Sequence, residues 1–99
     1  MKIVWLPVAL IDLTHIKKYF TEESSAKVAA VQLSKISKSA RLLTSHPYMG
    51  HPSPNLMDRD VLEWNIPSTP YTLPYLIVGE EIRILRVFDQ RQDRRDSWH

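Results

Sequence analysis

The sequence predicts an α+β domain in which an N-terminal helical hairpin packs on one face of a mostly antiparallel sheet, in the order β-α-α-β-β-β. Two stretches in the first half repeat apolar residues at helical spacing, and the second half has short β-type runs bounded by prolines. A chain of 99 residues leaves room for one hydrophobic core. We therefore expect a single domain over residues 1–99, with residues 90–99 forming a flexible tail.

The N-terminal half predicts one strand and two helices. Residues 2–5 are apolar enough for a short strand, and Pro7 suits the first position of a helix because its missing N–H has no intrahelical partner there. The first helix should end at residues 21–24, and the second should span about residues 24–45. Helices joined by so few residues form an antiparallel hairpin. The apolar positions that face the core are Ala9, Leu13, Ile16 and Phe20, then Ala29, Leu33, Ile36, Ala40 and Leu43.

The C-terminal half predicts an irregular segment over residues 46–58 and then three strands, at residues 59–64, 71–78 and 81–88. Pro74 interrupts the second of these, and because proline donates no hydrogen bond it requires an edge position or a bulge. Gly79 and Glu80 fit a type II′ hairpin turn.

The second face of the sheet has no helix left to cover it. Trp98 is either disordered or folded back over this face.

Composition excludes several classes of protein. The chain has no cysteine, which rules out thiol catalysis and disulfides, and it has no apolar run of the length that spans a membrane. The N-terminus becomes polar too early for a secretory signal, so we expect a cytoplasmic protein. Residues 1–50 carry seven basic and three acidic residues, and residues 51–99 carry six and eight. This weak asymmetry does not predict direct, sequence-specific nucleic-acid binding.

No motif predicts a metal or a cofactor. The four histidines (His15, His46, His51 and His99) lack the spacing of metal ligands, no G-x-S-x-G turn is present, and two glycines cannot build a phosphate-binding loop.

An arginine on the last predicted strand stands out. Strand alternation over residues 81–88 places Arg86 with Ile84 and Phe88 on one face, and Arg83, Leu85 and Val87 on the other. Arg86 either pairs with Asp60, Glu63 or an acid of the tail, or forms a cationic site for a partner or a phosphate.

A second apolar row lies beside the core face of the second helix. Val28, Val31 and Leu42 form this row, which is either the margin of a broad core face or a groove for an external helix.

The chain resembles the RelE/ParE superfamily of bacterial toxins, and within it the ParE-like, plasmid-stabilisation branch. The resemblance spans nearly the whole chain. Its motifs are Trp5-x-Pro7-x-Ala9-x-x-Asp12-Leu13-x-x-Ile16 with Tyr19, Leu42-Leu43 before Pro47-x-x-Gly50, Arg59, Pro70-Tyr71-x-Leu73-x-Tyr75-x-x-x-Gly79-x-x-Ile82-x-Ile84-Leu85-Arg86-Val87, and Gln92-Asp93.

This resemblance implies the toxin of a type II toxin-antitoxin module, neutralised by a cognate, ParD-like antitoxin. ParE-like members inhibit DNA gyrase, whereas RelE-like members are endoribonucleases that cleave mRNA on the ribosome. A degenerate, non-toxic member of the family is a further alternative.

The resemblance favours the gyrase-directed, non-enzymatic alternative. A nuclease would use Arg59, Arg86 and Asp89, but residues 44–58 lack the basic residues of the RelE-like enzymes, and Asp89 stands where many relatives carry histidine. RNA cleavage requires a base and an acid as well as cations. We expect no cofactor, no metal and no membrane contact. The residues expected to bind the target are Arg83, Arg86, Phe88, Arg91 and Trp98, and those expected to bind the antitoxin are Val28, Val31 and Leu42.

Overall fold

A computed structural model describes residues 1–55, 58–92 and 98, and it confirms the α+β architecture. The elements are β1 (Lys2–Trp5), α1 (Pro7–Glu23), α2 (Ala26–Ser45), β2 (His51–Pro52), β3 (Leu62–Asn65), β4 (Tyr71–Val78), β5 (Glu81–Ile84) and β6 (Phe88–Asp89). The strands form a six-stranded sheet in the order β1-β5-β4-β3-β2, with β6 also paired to β4. Only β1 and β5 pair in parallel; the other described pairs are antiparallel.

The helical hairpin forms as the sequence predicts, with a tighter connection. Helix α1 continues through residues 21–23, where the Thr21 hydroxyl donates to the Lys17 carbonyl at 2.7 Å. Ser25 caps α2, where its hydroxyl accepts from the Val28 N–H at 3.1 Å. The hairpin and one face of the sheet enclose the main core, formed by Ala9, Ile16, Ile36, Ala40, Leu43, Ile66, Tyr71, Leu73, Tyr75, Ile82, Ile84 and Val87.

Two predictions about the strands are wrong. Residues 46–58 are not irregular throughout, because β2 pairs with β3 there. The strand predicted over residues 81–88 is interrupted at 85–87, so its alternation changes: Val87 joins Ile84 in the main core, while Phe88 joins Leu85 on the opposite face. The cause is Asp12 of α1, whose carboxylate accepts the Val87 N–H at 2.9 Å and takes it out of the ladder.

Pro74 occupies a central strand rather than an edge. Its carbonyl accepts from the Leu85 N–H at 2.9 Å, so the side of Pro74 that would carry an N–H faces the interruption between β5 and β6. The break in regular strand pairing therefore lies opposite Pro74, in residues 85–87 between β5 and β6. The hairpin that follows agrees with the predicted type II′ turn, since Gly79 has a φ of +58° and Glu80 does not adopt a positive φ.

The second face of the sheet is covered by a small core that includes the end of the chain. Trp98 is buried and its ring meets that of Phe88 edge-on, with centroids 4.8 Å apart. The Trp98 indole N–H donates to the Glu63 carboxylate at 2.6 Å, and its backbone N–H donates to the Asp58 carboxylate at 2.7 Å. Of the alternatives for Trp98, the structure shows the folded-back one. Within the expected tail, residues 93–97 and 99 lie outside the described residues.

The loop between α2 and β2 is fixed by a buried tyrosine. The Tyr75 hydroxyl donates to the Pro47 carbonyl at 2.7 Å and accepts the Gly50 N–H at 3.1 Å. A Cβ at position 50 would lie 2.6 Å from that hydroxyl and 2.9 Å from the Glu63 carbonyl. Only glycine lets the loop approach so closely.

We expect Gly50→Ala to lower the free energy of unfolding by about 1–3 kcal/mol, because the added methyl group overpacks a site with a fixed backbone on one side. Urea denaturation measures this loss. Adding Tyr75→Phe, which removes the nearest oxygen, should make the double variant more stable than the sum of the two single losses predicts. Strict additivity would contradict the proposed contact.

Candidate functional site

The carboxylate of Asp12 accepts three hydrogen bonds from the opposite end of the chain. Arg86 donates to it twice, from Nε at 2.7 Å and from Nη2 at 2.9 Å, and the Val87 N–H is the third donor. The side chains of Arg86 and Asp12 are only 16% and 11% exposed. The hydrogen bonds from Arg86 to Asp12 raise the pKa of Arg86, against the opposing effect of burial.

Local structure explains why these two residues meet. Asp12 lies on the buried side of α1, between Ala9 and Ile16, where an unpaired carboxylate would be strongly destabilising. Arg86 follows Ile84 by two residues, so it still points to the helical side of the sheet after β5 has ended. The forked guanidinium then matches both carboxylate oxygens.

A cleft of about 370 Å³ opens beside this ion pair. A second ion pair closes the cleft: Arg91 donates to the Asp89 carboxylate from Nη2 at 2.6 Å and from Nε at 3.0 Å. The hydrogen bond with Arg91 lowers the pKa of Asp89 despite partial burial, while burial first and Asp89 second raise the pKa of Tyr71. The other residues of the lining are His15, Ile16, Tyr19, Val87 and Gln92.

The cleft has little capacity for phosphate chemistry in this state. Each guanidinium is paired with a carboxylate that offsets its charge, so the pair attracts a phosphate less strongly than an unpaired arginine would. The lowered pKa of Asp89 also makes its carboxylate a weak base.

The structure brings together only some of the residues expected to bind a target. Arg86 and Arg91 line the cleft, whereas Arg83 lies on the other face of the sheet and donates to Glu81 at 3.0 Å. Phe88 and Trp98 are buried against each other and contribute no exposed surface. Of the three residues named for a nuclease, Arg86 and Asp89 line the cleft, and Arg59 lies in an exposed turn before β3 and is not part of the lining.

The partner of Arg86 and three residues of the cleft were missed by sequence reasoning. Among the described residues, Arg86 pairs with Asp12 and not with Asp60 or Glu63, while the tail acids Asp93 and Asp96 lie outside the described residues. His15 and Tyr19 line the cleft with Asp12, and the spacing 12, 15, 19 on one helix was the available signal. Tyr71 reaches the cleft through the turn that starts β4, which no local pattern reveals.

The predicted apolar row on α2 lies at the surface. Val31 and Leu42 are 48% and 46% exposed, and Val28 is half-buried. Of the two interpretations of this row, the structure disfavours the core face. The same helix carries four basic residues, Lys27, Lys35, Lys38 and Arg41, and no acidic residue.

Neither a metal site nor a membrane span is found in the described part of the chain. No group of three or more histidine, aspartate or glutamate side chains there could hold a metal ion. No helix within those residues is sufficiently long and apolar to cross a bilayer.

Comparisons with known proteins point to one family. The family model described as "ParE toxin of type II toxin-antitoxin system, parDE" matches residues 3–94. A solved chain from the chromosomal ParDE toxin-antitoxin system of P. aeruginosa has the same fold, with a TM-score of 0.79 and 23% sequence identity over 90% of this chain and 95% of that one. A search of the curated proteins finds no significant match.

We expect the Arg91→Gln substitution to return the pKa of Asp89 toward its ordinary value, because the hydrogen bond to Arg91 is the main cause of the lowered value. The pair stabilises the fold above the unfolded pKa of Asp89, and this contribution is lost as the pH falls through the lower, folded value. An NMR titration of the Asp89 carboxyl carbon measures the change. An unaltered titration in the variant would contradict the pairing.

Proposed function

The chain belongs to the ParE toxin family of type II toxin-antitoxin systems, and on that premise we propose that it arrests growth by inhibiting DNA gyrase and is neutralised by a ParD-like antitoxin. A toxin with this target acts in the cytoplasm. As part of a toxin-antitoxin pair, it would stabilise the plasmid or chromosomal segment that encodes both partners.

The state of the cleft is the observation that favours an inhibitor over a nuclease. A ribonuclease needs free cations for the phosphate and a group able to take the 2′-hydroxyl proton. Here both arginines of the cleft are paired with carboxylates, and Asp89 is a weakened base. Inhibition by binding needs neither group.

The surface of α2 supports the antitoxin part of the proposal. Val31 and Leu42 lie exposed on a helix that has four basic residues and no acidic one. An amphipathic helix with apolar anchors and acidic flanks complements such a surface, and a disordered antitoxin segment can supply it by folding on binding. Val28 extends the same row.

The exposed arginines support a contact with the target, in a form that differs from the sequence expectation. The side chains of Arg83 and Arg91 are 43% and 67% exposed on opposite sides of the sheet, so a partner can reach them although each is paired with an acidic side chain, Glu81 or Asp89. Phe88 and Trp98 are structural instead, since both are buried in the small core on the second face of the sheet.

The test is to induce the chain without its antitoxin and to measure growth, gyrase supercoiling by the purified enzyme, and mRNA integrity. We expect arrest with filamentation and loss of supercoiling, and rescue by co-expression of the antitoxin. Leu42→Ser should weaken antitoxin binding and leave the arrest intact, with Leu10→Ser, a similarly exposed leucine on α1, as the matched control. Arrest accompanied by cut mRNA and normal supercoiling would reverse the proposal in favour of a RelE-like nuclease.

A further inference from the structure

One edge of the central strand β4 is open at its C-terminal end. Pairing with β3 ends where Leu62 faces Tyr75, but β4 continues to Val78. Because the Pro74 carbonyl is bonded toward the β5 side, the backbone groups of Ile77 point to the opposite side, beyond the end of β3. Among the described residues, none donates to or accepts from the Ile77 backbone on that side. An unpaired strand edge is a template for another strand.

A rigidly held tyrosine stands beside this open edge. Tyr48 is 77% exposed, the highest value among the large apolar side chains of the described residues. Its loop is fixed by the hydrogen bonds of Tyr75 to Pro47 and Gly50, so the ring is presented from a rigid backbone. Such a tyrosine binds a partner at low cost in conformational entropy.

A groove of about 470 Å³ connects the tyrosine to the strand edge. Asp60 lines the groove as well, and its exposed carboxylate forms no ion pair with a described residue. A carboxylate and an aromatic ring in one groove favour a cationic side chain, through ion pairing and a cation–π contact. The apolar remainder of the lining is Leu62, Leu76, Ile77 and Val78.

We propose that this groove binds an extended, positively charged segment of the toxin's target, which adds a short strand along residues 76–78 of β4. The segment would donate to and accept from the Ile77 backbone and place a lysine or arginine between Tyr48 and Asp60. The inference rests on the proposed function.

Charge separates this occupant from the antitoxin. The basic face of α2 favours an acidic partner, whereas Asp60, the one charged residue among the described lining of the groove, favours a basic group. The groove therefore belongs to the target, and the toxin has two binding surfaces of opposite chemistry.

The test uses Tyr48→Ser and Asp60→Lys in the full chain, with Glu80→Lys as the matched control, since Glu80 is exposed in the β4–β5 turn outside the groove. Growth arrest, affinity for purified DNA gyrase and affinity for the antitoxin are measured for each. We expect both groove variants to bind gyrase about tenfold or more weakly and to lose the arrest, as at an interface hot spot. Their antitoxin affinity and the behaviour of the control should stay at the wild-type level. In hydrogen exchange, the Ile77 amide should become protected when gyrase binds.

Groove variants that lose antitoxin affinity but still arrest growth would overturn the inference, as would variants that change nothing or an Ile77 amide that stays unprotected. A wild-type chain that arrests growth without inhibiting gyrase contradicts the proposed function alone. In that case, groove variants that lose the arrest and keep their antitoxin affinity still support the inference, and groove variants that keep the arrest overturn it. A wild-type chain that causes no arrest contradicts both.

Discussion

The carboxylate of Asp12 holds the first helix to the end of the sheet, and much of the C-terminal half depends on this contact. Its two bonds from Arg86 and its third from Val87 draw residues 85–87 out of the strand. The chain then resumes pairing with β4 on the far side of Pro74, with Val87 and Phe88 on faces opposite to those that uninterrupted alternation would give. Phe88 can consequently pack on Trp98 and close the second face.

The same contact decides what the cleft can do. Arg86 lines the cleft with its guanidinium paired to Asp12, and Arg91, the other arginine among the described lining residues, is paired to Asp89. The charges cancel within the cleft. The two surfaces that we propose for binding, the basic and apolar face of α2 and the groove that holds Tyr48 and Asp60, differ in charge and in the secondary structure they would accept from a partner.

Local sequence signals were sufficient for the order of elements and for the two helices, because helical periodicity, Pro7 and the Gly79 turn act over a few residues. They were insufficient wherever a distant residue intervened. The break after Ile84 is caused by the carboxylate of Asp12, which lies 75 residues before Val87, and the course of residues 46–50 is set by the hydroxyl of Tyr75. Trp98 folds back onto the sheet because its two N–H groups donate to the carboxylates of Asp58 and Glu63. The sequence near the C-terminus gives no sign of these distant acceptors. The apolar row of Val28, Val31 and Leu42 on α2 was visible from spacing, but its exposure was not.

A double-mutant cycle on Asp12→Ala and Arg86→Ala tests most directly whether this ion pair organises the C-terminal half. Either single substitution leaves a charged partner nearly buried and should cost about 3 kcal/mol or more in the free energy of unfolding. The double variant should cost clearly less than the sum, with a coupling energy of about 2 kcal/mol, since it leaves no unpaired charge behind. Losses that add to within about 0.5 kcal/mol would show that the two residues do not act together, and would contradict the account.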